Sequence, residues 1–152
     1  MTVRNAILGL LAQQPSHGYE LWASFEALIG GGDIWHVKPA QIYTTLVRLE
    51  DAGLVRQDGV EQDGGPEKRI YSLTPSGRRE LAEWFGAGVP PEHQRDEFFV
   101  KLMISLYSEQ ADPYQVIRAQ RNRLYQDLHA LTNRRNDVDS SRGLAHIFLL
   151  DK

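Results

Sequence analysis

The 152-residue chain has no cysteine. That absence excludes disulfides, thiolate zinc sites, iron–sulfur clusters and cysteine nucleophiles together. Long apolar runs are missing too. Stretches such as Phe148–Leu150 fall far short of the roughly 18 residues that a membrane span needs. No charged start leads into an apolar stretch and a small-residue cleavage site, so a cytoplasmic location is expected. There is no internal repeat and no low-complexity tract. A basic excess is also lacking: 17 Lys and Arg stand against 20 Asp and Glu, for a formal net charge of −3. Nucleic-acid-binding proteins usually carry such an excess, so its absence has to be tested locally.

Signatures of catalysis are missing as well. The five histidines are His17, His36, His93, His129 and His146, and no pair has zinc-ligand spacing on one helix face. Gly30-Gly31-Gly32 is not followed by the Lys-Ser/Thr of a phosphate loop, and no Gly-x-Ser-x-Gly elbow occurs. No enzyme activity, metal or cofactor is expected.

What is present is an ordered set of short elements. Val3, Ala6, Ile7, Leu10 and Leu11 recur as one buried helical face, which Gln14-Pro15 ends. Ser16 reads as the N-cap of a second helix with Leu21, Phe25 and Leu28 on one stripe. Gly30-Gly31-Gly32-Asp33 ends that helix, and Ile34–Val37 reads as a small strand. Pro39 suits the first turn of a third helix, with Ile42, Leu46 and Leu49 inward and Gly53 at the left-handed C-cap. Leu54 to Val60 and Arg69 to Leu73 form a β-hairpin around Gln62–Pro66. Thr74-Pro75 opens a fourth helix with Leu81, Trp84 and Phe85 as its apolar residues.

Gly86–Pro91 is a joint. Beyond it, Phe98, Phe99, Leu102, Met103 and Leu106 predict a helix buried on most sides. Asp112-Pro113 opens a long helix in which Tyr114, Ile117, Arg121, Leu124, Leu128, Leu131 and Arg135 form a heptad-like seam. Leu144, Ile147, Phe148 and Leu150 begin a last amphipathic helix.

The order helix, helix, strand, helix, hairpin, helix is that of a winged helix–turn–helix, whose third helix enters the DNA major groove. The expected fold is therefore mainly α. Residues 1–88 form the winged domain, and residues 89–152 form an α-helical dimerisation and effector domain. The recognition face carries Gln41, Thr44, Thr45 and Arg48, types that read base edges. Tyr43 lies at its edge and Lys38 at the helix start, both within reach of phosphate. Lys68 and Arg69 follow the hairpin turn, where a wing touches DNA. Ser16, His17 and Tyr19 mark a helix N-terminus that offers N–H groups to a phosphate. Any one of these cations is by default solvated surface, and the ordered set of elements carries the reading.

Three motif blocks make the first 85 residues recognisable. They are Ile7–Leu11 with His17-Gly18-Tyr19-Glu20-Leu21, then Gln41–Val55, then Lys68–Gly77. Together they resemble the PadR family of transcriptional regulators. The segment from Arg95-Asp96-Glu97-Phe98 onward resembles the helical C-terminal domain of its longer members. Lys38 stands where the family usually carries Ser or Thr. The resemblance implies a homodimeric repressor on an inverted-repeat operator in double-stranded DNA, released in many members by a small molecule such as a phenolic acid. An effector site is expected where the two halves meet, among Trp22, Trp84, Phe98, Phe99 and Tyr107.

A dimer is expected independently of the family, because a single winged unit with so few basic contacts binds DNA weakly. The seam residues Tyr114, Ile117, Leu124, Leu128 and Leu131 are its candidate interface, and an intramolecular helix pair is the other reading of that seam. The charge count leaves one further function open: a winged unit that binds protein instead of DNA. Residues 1–85 hold eight basic and eleven acidic side chains, but Lys38–Arg79 holds seven basic and six acidic. The net charge therefore does not veto DNA.

Overall fold

A computed structural model describes residues 2–30, 36–62, 64–90, 94–109 and 111–139. The order of elements is α1 (Thr2–Gln13), β1 (Ser16–His17), α2 (Gly18–Leu28), α3 (Pro39–Asp51), β2 (Val55–Glu61), β3 (Lys68–Leu73), α4 (Pro75–Gly86), α5 (Gln94–Tyr107) and α6 (Pro113–Asp139). The fold is mainly helical with one small antiparallel sheet in the order β1-β3-β2. The end of the three-glycine stop, Ile34-Trp35 of the expected strand, and the last helix expected over 144–150 lie outside the described residues.

Helix α1 is the hub. Ala6, Ile7 and Leu8 are wholly buried, and the helix packs against α2, α3, α4, α5 and β3. Its i, i+3, i+4 apolar pattern supplies more than one inward stripe, which lets a single helix serve several neighbours. Arg4 adds a two-point ion pair to Glu80 of α4, at 2.6 and 3.0 Å. Leu21 and Phe25 of α2 and Ile42, Leu46 and Leu49 of α3 complete the core of the winged half.

Local signals fix most boundaries. Pro39 is the first residue of α3, and Lys38, its N-cap, makes no side-chain capping bond. Gly53 ends α3 with φ +75°, a conformation that glycine adopts without steric cost. The Thr74 hydroxyl accepts from the Gly77 amide at 3.1 Å and donates to the Gly53 carbonyl at 2.6 Å. One side chain therefore caps α4 and ties it to the end of α3.

Two expectations are corrected here. Ser16 is not the cap of α2: it is buried in β1 opposite Tyr71, and His17 is the N-cap. The sheet's third strand is therefore Ser16–His17, whereas His36 and Val37 form none. Val37 instead accepts the Trp22 indole N–H at 2.7 Å, so a side chain from α2 satisfies its carbonyl. In the wing, Gln57 pairs with Tyr71 but Gly59 with Ile70, so Asp58 is an extra residue that bulges β2.

The buried face of α5 also differs from the periodic reading. Val100, Lys101, Ile104 and Ser105 are buried, whereas Leu106 is 61% exposed and Phe98, Phe99, Leu102 and Met103 are half-buried. The cause is close packing on α1: a Cβ at Gly9 would collide with Ile104 Cγ2, so α5 approaches through that side.

The joint between the halves is clamped. The Gln120 side chain accepts from Val89 N at 2.7 Å and donates to Val89 O at 3.1 Å, and both residues are buried. Gly88 lies so close to α6 that an added Cβ would strike Arg123. Buried Lys101 donates to the Ala87 carbonyl at 2.7 Å and lies 5.2 Å from the Trp84 ring centroid. Burial holds the Lys101 ammonium below its ordinary value, with Glu97 acting in the opposite direction. Among the described residues, no helix is long and apolar enough to cross a membrane.

Candidate nucleic-acid interface

Helix α3 is amphipathic in the simplest way. Ile42, Leu46 and Leu49 are wholly buried, and Gln41, Tyr43, Thr44, Val47 and Arg48 are exposed. Thr45 is only half-buried, so it sits on the flank and not on the outward face. The hydroxyls of Thr44 and Thr45 donate to the carbonyls of Ala40 and Gln41 at 3.0 and 2.7 Å. Their hydrogens are thereby used, leaving each side chain a methyl and an acceptor lone pair.

The wing stands beside this helix. Between α3, the start of α2 and β3 lies an open cleft of about 490 Å³. It gathers five of the expected contact residues, His17, Tyr19, Tyr43, Lys68 and Arg69, and is also lined by Val47 of the α3 turn that leads to Arg48. Tyr43 rests on Gly18, where any Cβ would overlap its ring. A glycine at the first residue of α2 is thus what holds a half-exposed tyrosine at the mouth of the cleft. Lys38, Arg48, Lys68 and Arg69 have no ion-pair or hydrogen-bond partner for their side chains among the described residues. Arg4, Arg56, Arg118 and Arg123 are all paired with carboxylates. At the base of the wing, the Ser72 hydroxyl and then Arg56 hold the Asp58 carboxyl below its ordinary value.

The start of α2 is less open than its sequence implies. Its capping box is closed: His17 Nδ1 accepts from Glu20 N at 3.3 Å, and Glu20 accepts from His17 N at 3.5 Å. The Glu20 carboxylate also lies 2.7 Å from His17 Nε2. A negative group therefore already occupies this helix end. Ser16 is turned inward, its hydroxyl donating to Gln14 O at 3.2 Å. Tyr19, 57% exposed, is the residue of this segment most able to reach outward.

The aromatic residues expected around an effector are dispersed. Trp84 is buried, donates to Glu97 at 3.1 Å and packs against Phe85 at 5.4 Å between ring centroids. Trp22 packs against Tyr19 at 5.5 Å. None of Trp22, Trp84, Phe98, Phe99 and Tyr107 lines the wing cleft or the second cavity described here. That cavity, about 210 Å³, lies at the meeting of α1, α4 and the end of α5, among Ala12, Arg78, Leu81, Ala82, Phe85 and Ser108. The seam of α6 faces away from the chain: Tyr114 is 71% exposed and Leu128 60%, while Val116 and Gln120 turn inward. Among the described residues, no three His, Asp or Glu side chains are grouped to hold a metal.

Two residues of the outward face of α3 escaped the sequence reading, Ala40 and Val47, because contact residues were sought among polar and charged types. Gln120 escaped because its partner lies 31 positions away.

These features define a winged helix–turn–helix protein with a helical second half. Residues 7–83 match the Transcriptional regulator PadR-like family, and the chain belongs to it. It is 37% identical over 110 residues to the negative transcriptional regulator PadR of Bacillus subtilis, covering 71% of this chain and 59% of that protein. It is 41% identical over 91 residues to the probable transcriptional regulator Rv1176c of Mycobacterium tuberculosis, covering 60% of this chain and 47% of the relative. The matched stretch thus spans about half the length of these relatives. The crystal structure of Bacillus subtilis PadR in complex with operator DNA aligns at TM-score 0.53 and 29% identity, over 97% of this chain and 87% of that one.

Proposed function

We propose that this chain is a homodimeric, sequence-specific DNA-binding repressor that places α3 in the major groove and β2–β3 against the backbone. The observation that carries the reading is the set of unpaired cations around one open face. Arg48 lies on α3, Lys38 at its start, and Lys68 and Arg69 across the cleft. Arg48 is the candidate for a bidentate contact to guanine. Lys68 and Arg69 neutralise phosphate, a contribution that is independent of sequence and sensitive to salt.

The likeness to a regulator solved on operator DNA, along nearly the whole chain, supports the same reading. Dimerisation is supported by the exposed apolar seam of α6, which one protomer leaves uncovered. Two copies place two α3 helices on half-sites roughly 10 bp apart or a multiple of it. Release by an aromatic acid at the meeting of the halves is the remaining part of the proposal. The cavity wall formed by Phe85 backs onto Trp84, whose fluorescence is the natural reporter.

The test is binding to a duplex enriched by the chain from a random pool. Arg48→Ala costs about 1–3 kcal/mol on that duplex and little on random DNA. Lys68→Ala weakens binding to both and lowers the salt slope by about 1. Equal binding of the chain to enriched and random DNA refutes sequence-specific recognition. Leu128→Asp yields a monomer in sedimentation and weakens binding to the full duplex more than to a half-site. A phenolic acid that changes neither Trp fluorescence nor DNA retardation removes that class of effector.

A further inference from the structure

We infer that the centre of the recognition face reads thymine methyl groups through Thr44 and Val47; this rests on the DNA reading above and specifies its target. Successive helix residues rotate by about 100°. The direction opposite the buried Ile42–Leu46–Leu49 stripe is therefore held by Ala40, Thr44 and Val47, at i, i+4 and i+7, and by Asp51 as the last residue of the helix. On a solvated helix this middle strip is the most polar part of the surface. Here the strip is uncharged from Ala40 to Val47, which is 55% exposed in the middle of the helix, and its charged residue, Asp51, stands at the helix end.

Thr44 belongs to the strip chemically as well as by position. Its hydroxyl donates to Ala40 O at 3.0 Å, so its hydrogen is not offered to a base and the methyl is left as the distinctive outward group. The polar residues flank the strip, with Gln41 and Arg48 on one side and Tyr43 on the other. The unpaired cations of the wing lie across the cleft that Val47 lines.

An apolar strip set among unpaired cations is complementary to one surface in particular. The phosphates meet the cations, and in the major groove only thymine presents an apolar group at the base edge. The rise from residue 44 to residue 47 is about 4.5 Å, close to one base-pair step, so the two side chains meet methyls on neighbouring pairs.

The experiment uses the full chain and the duplex it enriches from a random pool, with thymines replaced singly by deoxyuridine, which lacks only the 5-methyl group. Uracil at two neighbouring positions of a half-site should weaken wild-type binding about three- to fivefold each, the value of one methyl removed from water. Val47→Ala and Thr44→Ser should each lose the discrimination at one of those positions. Thr44→Val, which keeps the methyl and removes the hydroxyl, should retain it. Both positions are exposed, and thermal unfolding confirms that the three variants fold.

Unchanged wild-type affinity for every uracil duplex, with Arg48→Ala still impaired, overturns the methyl reading and leaves DNA recognition standing. Discrimination kept in Thr44→Ser and lost in Thr44→Val makes the hydroxyl the reader and overturns the role of the Thr44 methyl. Failure to enrich any sequence overturns DNA recognition and this inference together.

Discussion

In α3, three apolar residues at helical spacing, Ile42, Leu46 and Leu49, are wholly buried. In α6, apolar residues at similar spacing are left outside: Ile117 is 45% exposed, Leu124 42%, Leu128 60% and Leu131 43%. The winged half consumes its apolar stripes internally, around α1. The helical half spends Val116, Gln120 and the α5 residues Val100 and Ile104 on the fold and leaves a second stripe for something else. Periodicity says that a stripe will be buried but not by what. Between the halves, the segment that reads as a loose joint is held at Ala87, Gly88 and Val89 by α5 and α6. A clamped joint makes the direction of α6 a fixed function of the direction of α4. For a dimer held together by α6, that rigidity sets the distance between recognition helices.

The contrast between halves can be broken most sharply with a matched pair. Phe25→Ala removes a wholly buried ring and should cost about 3–5 kcal/mol in denaturant unfolding. Leu128→Ala, measured at concentrations where the chain is monomeric, should stay within about 0.5 kcal/mol of wild type. Similar losses in both would mean that the α6 seam is part of the monomer's core.

The clamp comes next. Gln120→Ala orphans the buried Val89 N–H and C=O, at about 1–3 kcal/mol for each group, and should open residues 87–90 to limited proteolysis. Unaltered stability and cleavage would restore the flexible joint. The contact between halves is tested by Gly9→Ala, which drives a methyl into Ile104 and should cost about 1–3 kcal/mol while leaving α3 intact by amide exchange.

The smallest effect concerns Lys101. Its folded value lies below the ordinary 10.5 because burial penalises the ammonium. Between the two values the unfolded chain binds more protons, so stability rises with pH through that window and the penalty is complete below it. Lys101→Met should flatten this alkaline slope in unfolding measured from neutral pH to above 10.5. An unchanged slope would show that Lys101 titrates alike in both states.

Much of the winged half was legible because its signals are local. Pro39, Gly53, Thr74-Pro75 and the wing turn each act within four residues, through a missing N–H, a positive φ or a side-chain cap. Which residues of α3 face outward followed largely from the same helix. Where the reading went astray, a distant partner decided the matter. Ser16 is a sound N-cap by type, yet Tyr71 recruits it into a strand, and His17 caps instead. Val47 is apolar and was not among the expected contact residues, yet its place on the helix turns it outward beside the wing.

The sequence by itself determined the helices, their caps, the hairpin and the motif blocks that mark the family, since these depend on φ preferences and on side chains reaching their own backbone. Only the tertiary structure decided which stripe of α5 faces α1, that the joint is fastened to α6, and that the seam of α6 is left outward. Burial and long-range hydrogen bonds belong to pairs of surfaces. The second member of each pair is chosen by the fold, at sequence distances over which local pattern carries no information.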